Sequence, residues 1–425
     1  MIALTRYCFF CFVFFLALLP EDFGFRSKSL PDISLIRAIL LLMSVSFSLA
    51  IITSKRFATK SWLIAKEYSL PACMISMFFG WSIISSLLSP AGYVVIVVEI
   101  RDVMYFLLPF LVALFCLRRV RDIRVTVMLL AISASLSAMI GLTEYISDYS
   151  LYASITASDS AWNTFALEKT EFSGVLGSFP HPLAFGSFLA AALVLSMLVY
   201  FNRPKISVTL IVAFIGVLCL LGIFVSTSRG AQASLVGGAA VGLVLIIARD
   251  YRRIASKEKL LAFLLLFLPV FLVVSVGVAA IGYVLVKGDS ENQEKSAMLR
   301  VAQLGMSVPL IEKRPILGYG AGQAAATLGM KAKTVDNYYL TVALESGLVG
   351  LALFLGILGY FLLQSVKSYM KCRHPYFLVM AVFFTVVSTQ LLVLSLKQTL
   401  PLLYIGFAIY LVIHRNRIGN IHSAQ

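Results

Sequence analysis

Lys287-Gly288-Asp289-Ser290 opens a segment that runs through Arg314-Pro315-Ile316-Leu317-Gly318-Tyr319-Gly320-Ala321-Gly322 to Asp336-Asn337-Tyr338-Tyr339-Leu340 and then Glu345-Ser346-Gly347. It is polar and glycine-rich in a chain that is otherwise close to hydrocarbon, and it is too long for a simple hairpin between two apolar segments. Loops of this length are functional or disordered, and the motifs it carries argue against disorder.

Outward from this segment, composition decides the class. Hydrophobic residues make up 60% of the 425 and charged residues 13%, against about 25% charged in a soluble domain. With a mean hydropathy of +0.94, the expected fold class is an all-α integral membrane protein, one polytopic domain over 1–425. A span needs about 20 apolar residues. Twelve segments are read as transmembrane helices: 7–20, 33–53, 69–88, 102–117, 125–144, 183–201, 206–225, 231–248, 260–286, 338–363, 376–396 and 400–414. Segment 7–20 has the length of a signal-peptide core but lacks a small-residue cleavage pattern before Pro20, so it is read as a span. The large loop, 287–337, is expected to carry short amphipathic helices.

Basic residues set the orientation. Lys55, Arg56, Lys60 and Lys66 fall in loop 54–68, and Arg118, Arg119, Arg121 and Arg124 in loop 118–124. Arg249, Arg252, Arg253, Lys257 and Lys259 fall in 249–259, and Lys367, Lys371 and Arg373 in 364–375. Arg203 and Lys205 sit in a further turn, and Arg415 and Arg417 in the tail. Twelve spans put all of these, with both termini, on the cytoplasmic side. The net charge of +15 is therefore a topology signal, and no nucleic-acid partner is invoked. Segments 21–32, 89–101, 145–182, 226–230, 287–337 and 397–399 then face the exterior, and no cysteine lies among them. Cys8-x-x-Cys11 resembles half a zinc site, but it lies in the first span without a second pair, and no metal is assigned.

The exterior segments carry the candidate chemistry. Glu21, Asp22 and Asp32 occupy the first; a solvated turn is the simpler reading for them. Glu99-Ile100-Arg101-Asp102 places charges at the edge of an apolar run, where pairing is expected; Arg101 reads equally as an ion-pair partner or as part of an anion site. Segment 145–182 mixes Asp148, Asp159, Glu168 and Glu171 with Tyr149, Tyr152, Trp162, Phe165, Phe172 and Phe179, a composition suited to sugar rings and equally to a membrane interface. It closes on Gly177-Ser178-Phe179-Pro180-His181-Pro182, which fixes His181 between two prolines as a proton-handling candidate. In Ser226-Thr227-Ser228-Arg229-Gly230, Arg229 is placed to bind a phosphate bidentately, with Ser228 and the small neighbours allowing close approach. Residues 296–308 read as an amphipathic helix ending near Pro309: Met298, Val301, Ala302, Gly305 and Val308 form one stripe, and Arg300, Gln303 and Ser307 the other. Gly318, Gly320 and Gly322 permit a turn that presents N–H groups to an anion.

Four of these features together resemble the O-antigen ligase and Wzy-type polymerase superfamily. They are Thr227-Ser228-Arg229-Gly230, the Arg300 helix, Arg314-Pro315-Ile316-Leu317-Gly318-Tyr319-Gly320, and Asp336-Asn337-Tyr338-Tyr339-Leu340 followed by Glu345-Ser346-Gly347-Leu348-Val349-Gly350. The resemblance covers 170–365 and implies a GT-C-like membrane glycosyltransferase in the bacterial cytoplasmic (inner) membrane, with its active site facing the periplasm. It implies an undecaprenyl-diphosphate-linked oligosaccharide donor, a glycan or lipid A-core acceptor, and inverting transfer without metal, nucleotide sugar or other cofactor. A flippase and a chain-length regulator are the implied partners. Arg229, Arg300 and Asp336 are the catalytic candidates, and Ser228, Arg314, Asn337, Tyr338, His181 and Arg101 the substrate-binding ones. Ligases of the family usually carry His directly before the Asn, where this chain has Asp336. The function read from this is polymerisation of O-antigen or exopolysaccharide repeat units. The alternatives are O-antigen ligation to lipid A-core and a polysaccharide or lipid transporter or flippase. Transporters tend to show internal repeats and interrupted helices at mid-membrane, and the halves of this chain show no convincing repeat.

Overall fold

In a computed structural model, the described residues are 1–425 apart from 21–22, 28–29, 153–173, 201–205, 255–289, 330–334, 394–396 and 423–425. The expected span 260–286 lies outside the described residues. So do Glu21 and Asp22, the middle of segment 145–182 with Asp159, Trp162, Phe165, Glu168, Glu171 and Phe172, and the basic residues Arg203, Lys205, Lys257 and Lys259.

Helices lie on every other expected span. Among the described residues, seven are long and apolar enough to cross a membrane: α2 (Leu35–Thr53), α4 (Ser69–Leu87), α7 (Val120–Ser147), Pro182–Val199 within α8 (Pro182–Tyr200), α9 (Ile206–Val225), Arg229–Arg249 within α10 (Arg229–Ile254), and α13 (Tyr338–Cys372). Three more apolar helices are shorter: α1 (Ile2–Phe15), α14 (Pro375–Gln390), and Leu400–Asn416 within α15 (Leu400–His422). The remaining helices are α3 (Lys55–Glu67), α5 (Tyr93–Asp102), α6 (Leu108–Cys116), α11 (Ser290–Lys313) and the single turn α12 (Ala324–Thr327). One element departs from the all-α expectation. Strands β1 (Gly24–Ser27) and β2 (Leu30–Ser34) form an antiparallel hairpin, pairing Gly24 with Ser34 and Phe25 with Ile33. This segment between α1 and α2 has no apolar run of helical length, so its backbone polar groups pair with each other instead.

Helix starts follow local chemistry. The Ser34 hydroxyl accepts the Arg37 N–H at the start of α2, and the Ser54 hydroxyl accepts the Phe57 N–H at the start of α3. Asn337 Oδ1 accepts the Leu340 N–H at the start of α13. Each supplies an acceptor to a first-turn amide that has no partner within the helix. The expected span 102–117 is part of a longer element. α5 and α6 are joined through a π-helical turn at Val103–Leu107, a geometry that recurs at functional sites and here follows directly on Arg101 and Asp102.

Aromatic packing fixes the core. Phe361 of α13 stacks on Phe407 of α15 with ring centroids 4.2 Å apart and meets Phe384 of α14 at 5.8 Å. Phe106 stacks on Tyr404 at 5.7 Å, which ties the π turn to α15. Such pairs add about 0.5–1.5 kcal/mol each beyond the area they bury.

The two ends of this bundle differ in charge. Arg6 pairs with Asp122 at 3.4 Å, Arg118 lies over the Phe57 ring, Arg249 over Tyr369, and Arg415 donates to the carbonyls of Leu114 and Leu117. These contacts gather the basic loops at one end. α4, α7, α10, α13 and α15 each have one end there and the other among the candidate site residues, so the chemistry-bearing segments occupy the opposite end.

Candidate active site

The glycine-rich turn is spent on packing. α13 is interrupted at Gly347, whose φ of +70° lies in the left-handed region. Chain 314–320 plugs that break. The Leu348 N–H donates to the Pro315 carbonyl at 2.7 Å, and the N–H groups of Tyr319 and Gly320 donate to the carbonyls of Leu344 and Glu345, both at 2.8 Å. The Ala321 N–H goes to the Ser86 hydroxyl. A β-carbon on Gly347 would lie 2.1 Å from the Ile316 carbonyl oxygen, and one on Gly318 would lie 2.6 Å from the Gly347 nitrogen. The amides of 319 and 320 thus complete the hydrogen bonding of a broken helix, and the Gly322 N–H faces an anion from within the protein, the Glu345 carboxylate. Arg314 belongs to the same device. Its guanidinium sits 5.6 Å over the Tyr319 ring and donates to the Gly318 carbonyl, which makes it a brace of the turn.

A buried ionic cluster stands behind the turn. Lys397 Nζ, in the short 3-10 turn Lys397–Thr399, lies 2.5 Å from Asp102 Oδ2 and 3.2 Å from Glu345 Oε2. Asp102 also holds Arg101 at 3.3 Å. The Glu99 carboxylate accepts from the hydroxyls of Ser82 and Ser86. Arg101 and Asp102 form one wall of a cavity of about 50 Å³ that is otherwise mostly apolar, with Leu16, Ile36, Phe106 and Phe179 among its lining. Arg101 is thus an ion-pair partner of Asp102 that also lines the cavity. Lys397 was missed as a site residue: a lone lysine in a three-residue exterior segment carries no local signal of its partners, which come from positions 102 and 345.

Arg300 and Asp336 do come together. Arg300 Nε lies 3.9 Å from Asp336 Oδ2, beyond hydrogen-bond reach. α11 runs through Pro309 to Lys313, so the expected stop near Pro309 is corrected. Pro309 and Gly305, four residues earlier, both lie on the exposed face, where the carbonyl left without a donor has open surroundings. The stripe of Met298, Val301 and Val308 is exposed, while Gln303 and Ser307 are buried. α11 therefore turns its polar face to the protein and its apolar face away from it. Gln303 Oε1 accepts the Asp336 N–H at 3.0 Å, which settles the orientation of its amide and leaves Nε2 as a donor. Both that Nε2 and Arg300 Nε are buried without a hydrogen-bond partner among the described residues. Orphaned buried donors are rare and call for an explanation. Burial raises the Asp336 carboxyl above the usual carboxylate range, and Arg300 offsets part of that rise.

The other candidates have local tasks. Asn337 is the cap of α13. The Tyr338 amide donates to the Leu391 carbonyl, and its buried ring meets Phe354 edge-on at 5.2 Å; it is a packing residue facing the ionic cluster. His181 Nδ1 accepts the Leu183 N–H at 3.1 Å at the start of α8, and burial pulls its imidazole down to about 4. Its Nδ1 is spent on a cap, a structural role of the kind a lone His more often has. Ser228 is buried, and its hydroxyl accepts the Ala231 N–H. It caps α10.

Arg229 is different. It is exposed at the first position of α10, where the helix dipole disfavours a cation by about 0.3–1 kcal/mol. The turn before it is tight, with Thr227 at φ +53°. A chain of contacts ties this turn to the Asp336 region: a β-carbon on Gly230 would touch Val393, and Leu391, two residues earlier, holds the Tyr338 amide. Arg300 and Asp336 are thus neighbours, and residues 391–393 connect the turn that carries Arg229 to the segment of Asp336.

No curated protein matches the chain. Residues 214–355, which include Arg229, Arg300, Arg314, Asp336 and Glu345, match the family model described as O-Antigen ligase. Over those residues this chain, with helices long and apolar enough to cross a membrane, is similar to the O-antigen ligase family.

Proposed function

We propose that the chain is a membrane-embedded glycosyltransferase that moves glycan from a lipid diphosphate to a sugar hydroxyl at the exterior face of the cytoplasmic membrane, and that it polymerises repeat units. The observation that carries this is the pair of orphaned donors, Arg300 Nε and Gln303 Nε2, buried beside Asp336. Two donors next to a carboxylate suit a ligand that brings oxygen acceptors and a hydroxyl. As the glycosidic bond breaks, charge develops on the phosphate oxygen of the leaving group. Arg300, together with Arg229 at the positive end of α10, stabilises that charge. Asp336 orients the acceptor hydroxyl and holds Arg300, and when ionised it takes the hydroxyl proton. Attack opposite the diphosphate inverts the anomeric centre. The lipid-linked donor already carries the energy of transfer. A second reading, ligation of finished chains to lipid A-core, is favoured by the description of the matching family; Asp336 in place of His favours polymerisation.

Lipid-linked glycans of a deletion strain test the choice. A polymerase deletion accumulates single repeats with no long chains, and long polymer still on undecaprenyl diphosphate overturns that reading. Within the site, Arg300→Lys keeps the charge and loses the planar fork. It is expected to cut transfer by about 10²–10³-fold with the protein still folded in the membrane, and Gln303→Leu, which fills the space without a donor, by a smaller factor. Unchanged product and chain length in Arg300→Lys would remove Arg300 from the site. Orientation is read separately: reporter fusions at Lys371 are expected in the cytoplasm and at Lys295 outside.

A further inference from the structure

The end of the bundle remote from the candidate active site gathers cations from separate parts of the chain. α3 lies between α2 and α4 and is amphipathic. Phe57, Ser61 and Ile64 are buried, whereas Trp62 and Leu63 are 70% and 58% exposed. Arg56 and Lys60 of α3 are exposed as well. Arg118 comes from the turn between α6 and α7 and lies 5.9 Å over the Phe57 ring, one helical turn from Lys60. Arg415 of α15 donates to the carbonyls of Leu114 and Leu117 at 3.4 and 2.9 Å, beside Arg118. Four cations from three separate parts of the chain thus converge around Phe57.

The acids nearby do not balance them. Asp122 is committed to Arg6 and to the N–H groups of Arg118 and Arg119, and Glu67 is directed to Tyr68, with Arg415 and His414 in its field. Partial burial, and then the charges of Arg118, Arg415 and Arg56, hold the Lys60 ammonium below the usual lysine range. Like charges held together in this way call for an anion. The exposed Leu63, which helical spacing puts next to Arg56 and Lys60, says what kind: an aliphatic side chain beside a basic cluster fits the boundary between head groups and acyl chains.

We propose that Arg56, Lys60, Arg118 and Arg415 form a binding site for the phosphate head group of an anionic phospholipid, with Leu63 set into its acyl region. The site is independent of the glycan-transfer reading. It docks α3 on the membrane surface and neutralises the cluster.

Native mass spectrometry of the detergent-solubilised full chain, titrated with phosphatidylglycerol or phosphatidylcholine, tests it. The wild type is expected to retain phosphatidylglycerol preferentially. Arg56→Gln/Lys60→Gln/Arg118→Gln, which changes three exposed side chains, is expected to weaken that binding about ten-fold or more, since each basic residue near an anionic surface contributes appreciably. Lys55→Gln/Lys66→Gln, on the same helix but outside the cluster, is expected to leave most of it. Equal loss in both variants would mean a diffuse charge effect and would overturn the site. Inorganic phosphate that displaces the lipid at millimolar concentration would mean a free-phosphate site, and would overturn the assignment to a lipid. A triple variant that fails to fold is replaced by Lys60→Gln, read as the same shift on a smaller scale, and retention of full binding there overturns the proposal.

Discussion

Two ionic groups at the same end of the bundle are built in opposite ways. Lys397, Asp102 and Glu345 are closely spaced, largely buried and mutually satisfied. Arg300 and Asp336 stand 3.9 Å apart, are more exposed, and with Gln303 leave donors without acceptors among the described residues. The first group is complete without a ligand and joins three distant parts of the chain. The second is incomplete until something brings oxygen atoms to it. Charge at the membrane edge thus does two kinds of work, and satisfaction of hydrogen bonds tells them apart better than burial does.

The largest test of this contrast is Lys397→Met. It strips the counter-ion from two buried carboxylates, and removing one partner of such a group costs about 3–5 kcal/mol. A large fall in the unfolding temperature in detergent is expected, with Lys397→Arg falling less. An unchanged unfolding temperature would mean that the triad does not hold the segment that carries Leu391 and Val393. Gly347→Ala comes next. The new β-carbon meets the Ile316 carbonyl at 2.1 Å in a left-handed backbone, so a loss of about 1–3 kcal/mol is expected, again in thermal unfolding; wild-type stability would mean that chain 314–320 is not seated in the break.

Arg314→Gln is smaller. It removes a cation–π contact of about 0.5–1 kcal/mol and one long hydrogen bond. Transfer by the folded variant is expected to stay within a few-fold of wild type, against the large loss in Arg300→Lys. A comparable loss would move Arg314 from the brace to the active group. Asp336→Asn tests the pair through pH. Because burial raises the Asp336 carboxyl, the folded protein keeps a proton that the unfolded chain has already released, so stability contributed by this group falls as pH rises through that window. Transfer that needs ionised Asp336 rises over the same window. Asp336→Asn is expected to flatten both slopes, and an acid limb of the transfer profile that survives in Asp336→Asn belongs to another group.

Much of the fold was legible beforehand because hydrocarbon-like runs and basic loops are local signals. A run of about 20 apolar residues has few alternatives to a helix, and lysines and arginines between spans report topology without reference to any partner. The Arg300 stripe was also legible, since helical periodicity puts residues 300, 303 and 307 on one face. The packing role of the glycine turn was not legible, because glycines that admit an anion and glycines that admit a backbone look alike in sequence. Its partner, the break at Gly347, lies about 30 residues further on.

What the sequence by itself determined is which segments leave water, which loops carry the positive charge, and that 226–230 and 287–347 hold the chemistry-bearing residues. Only the tertiary structure decided how those residues divide. It joined Lys397 to Asp102 and Glu345, used Arg314, Asn337, Ser228 and His181 for caps and braces, and left Arg300 and Gln303 with donors to offer. Hydrogen-bond satisfaction is a property of neighbours in space, and those neighbours come from positions up to 295 residues apart.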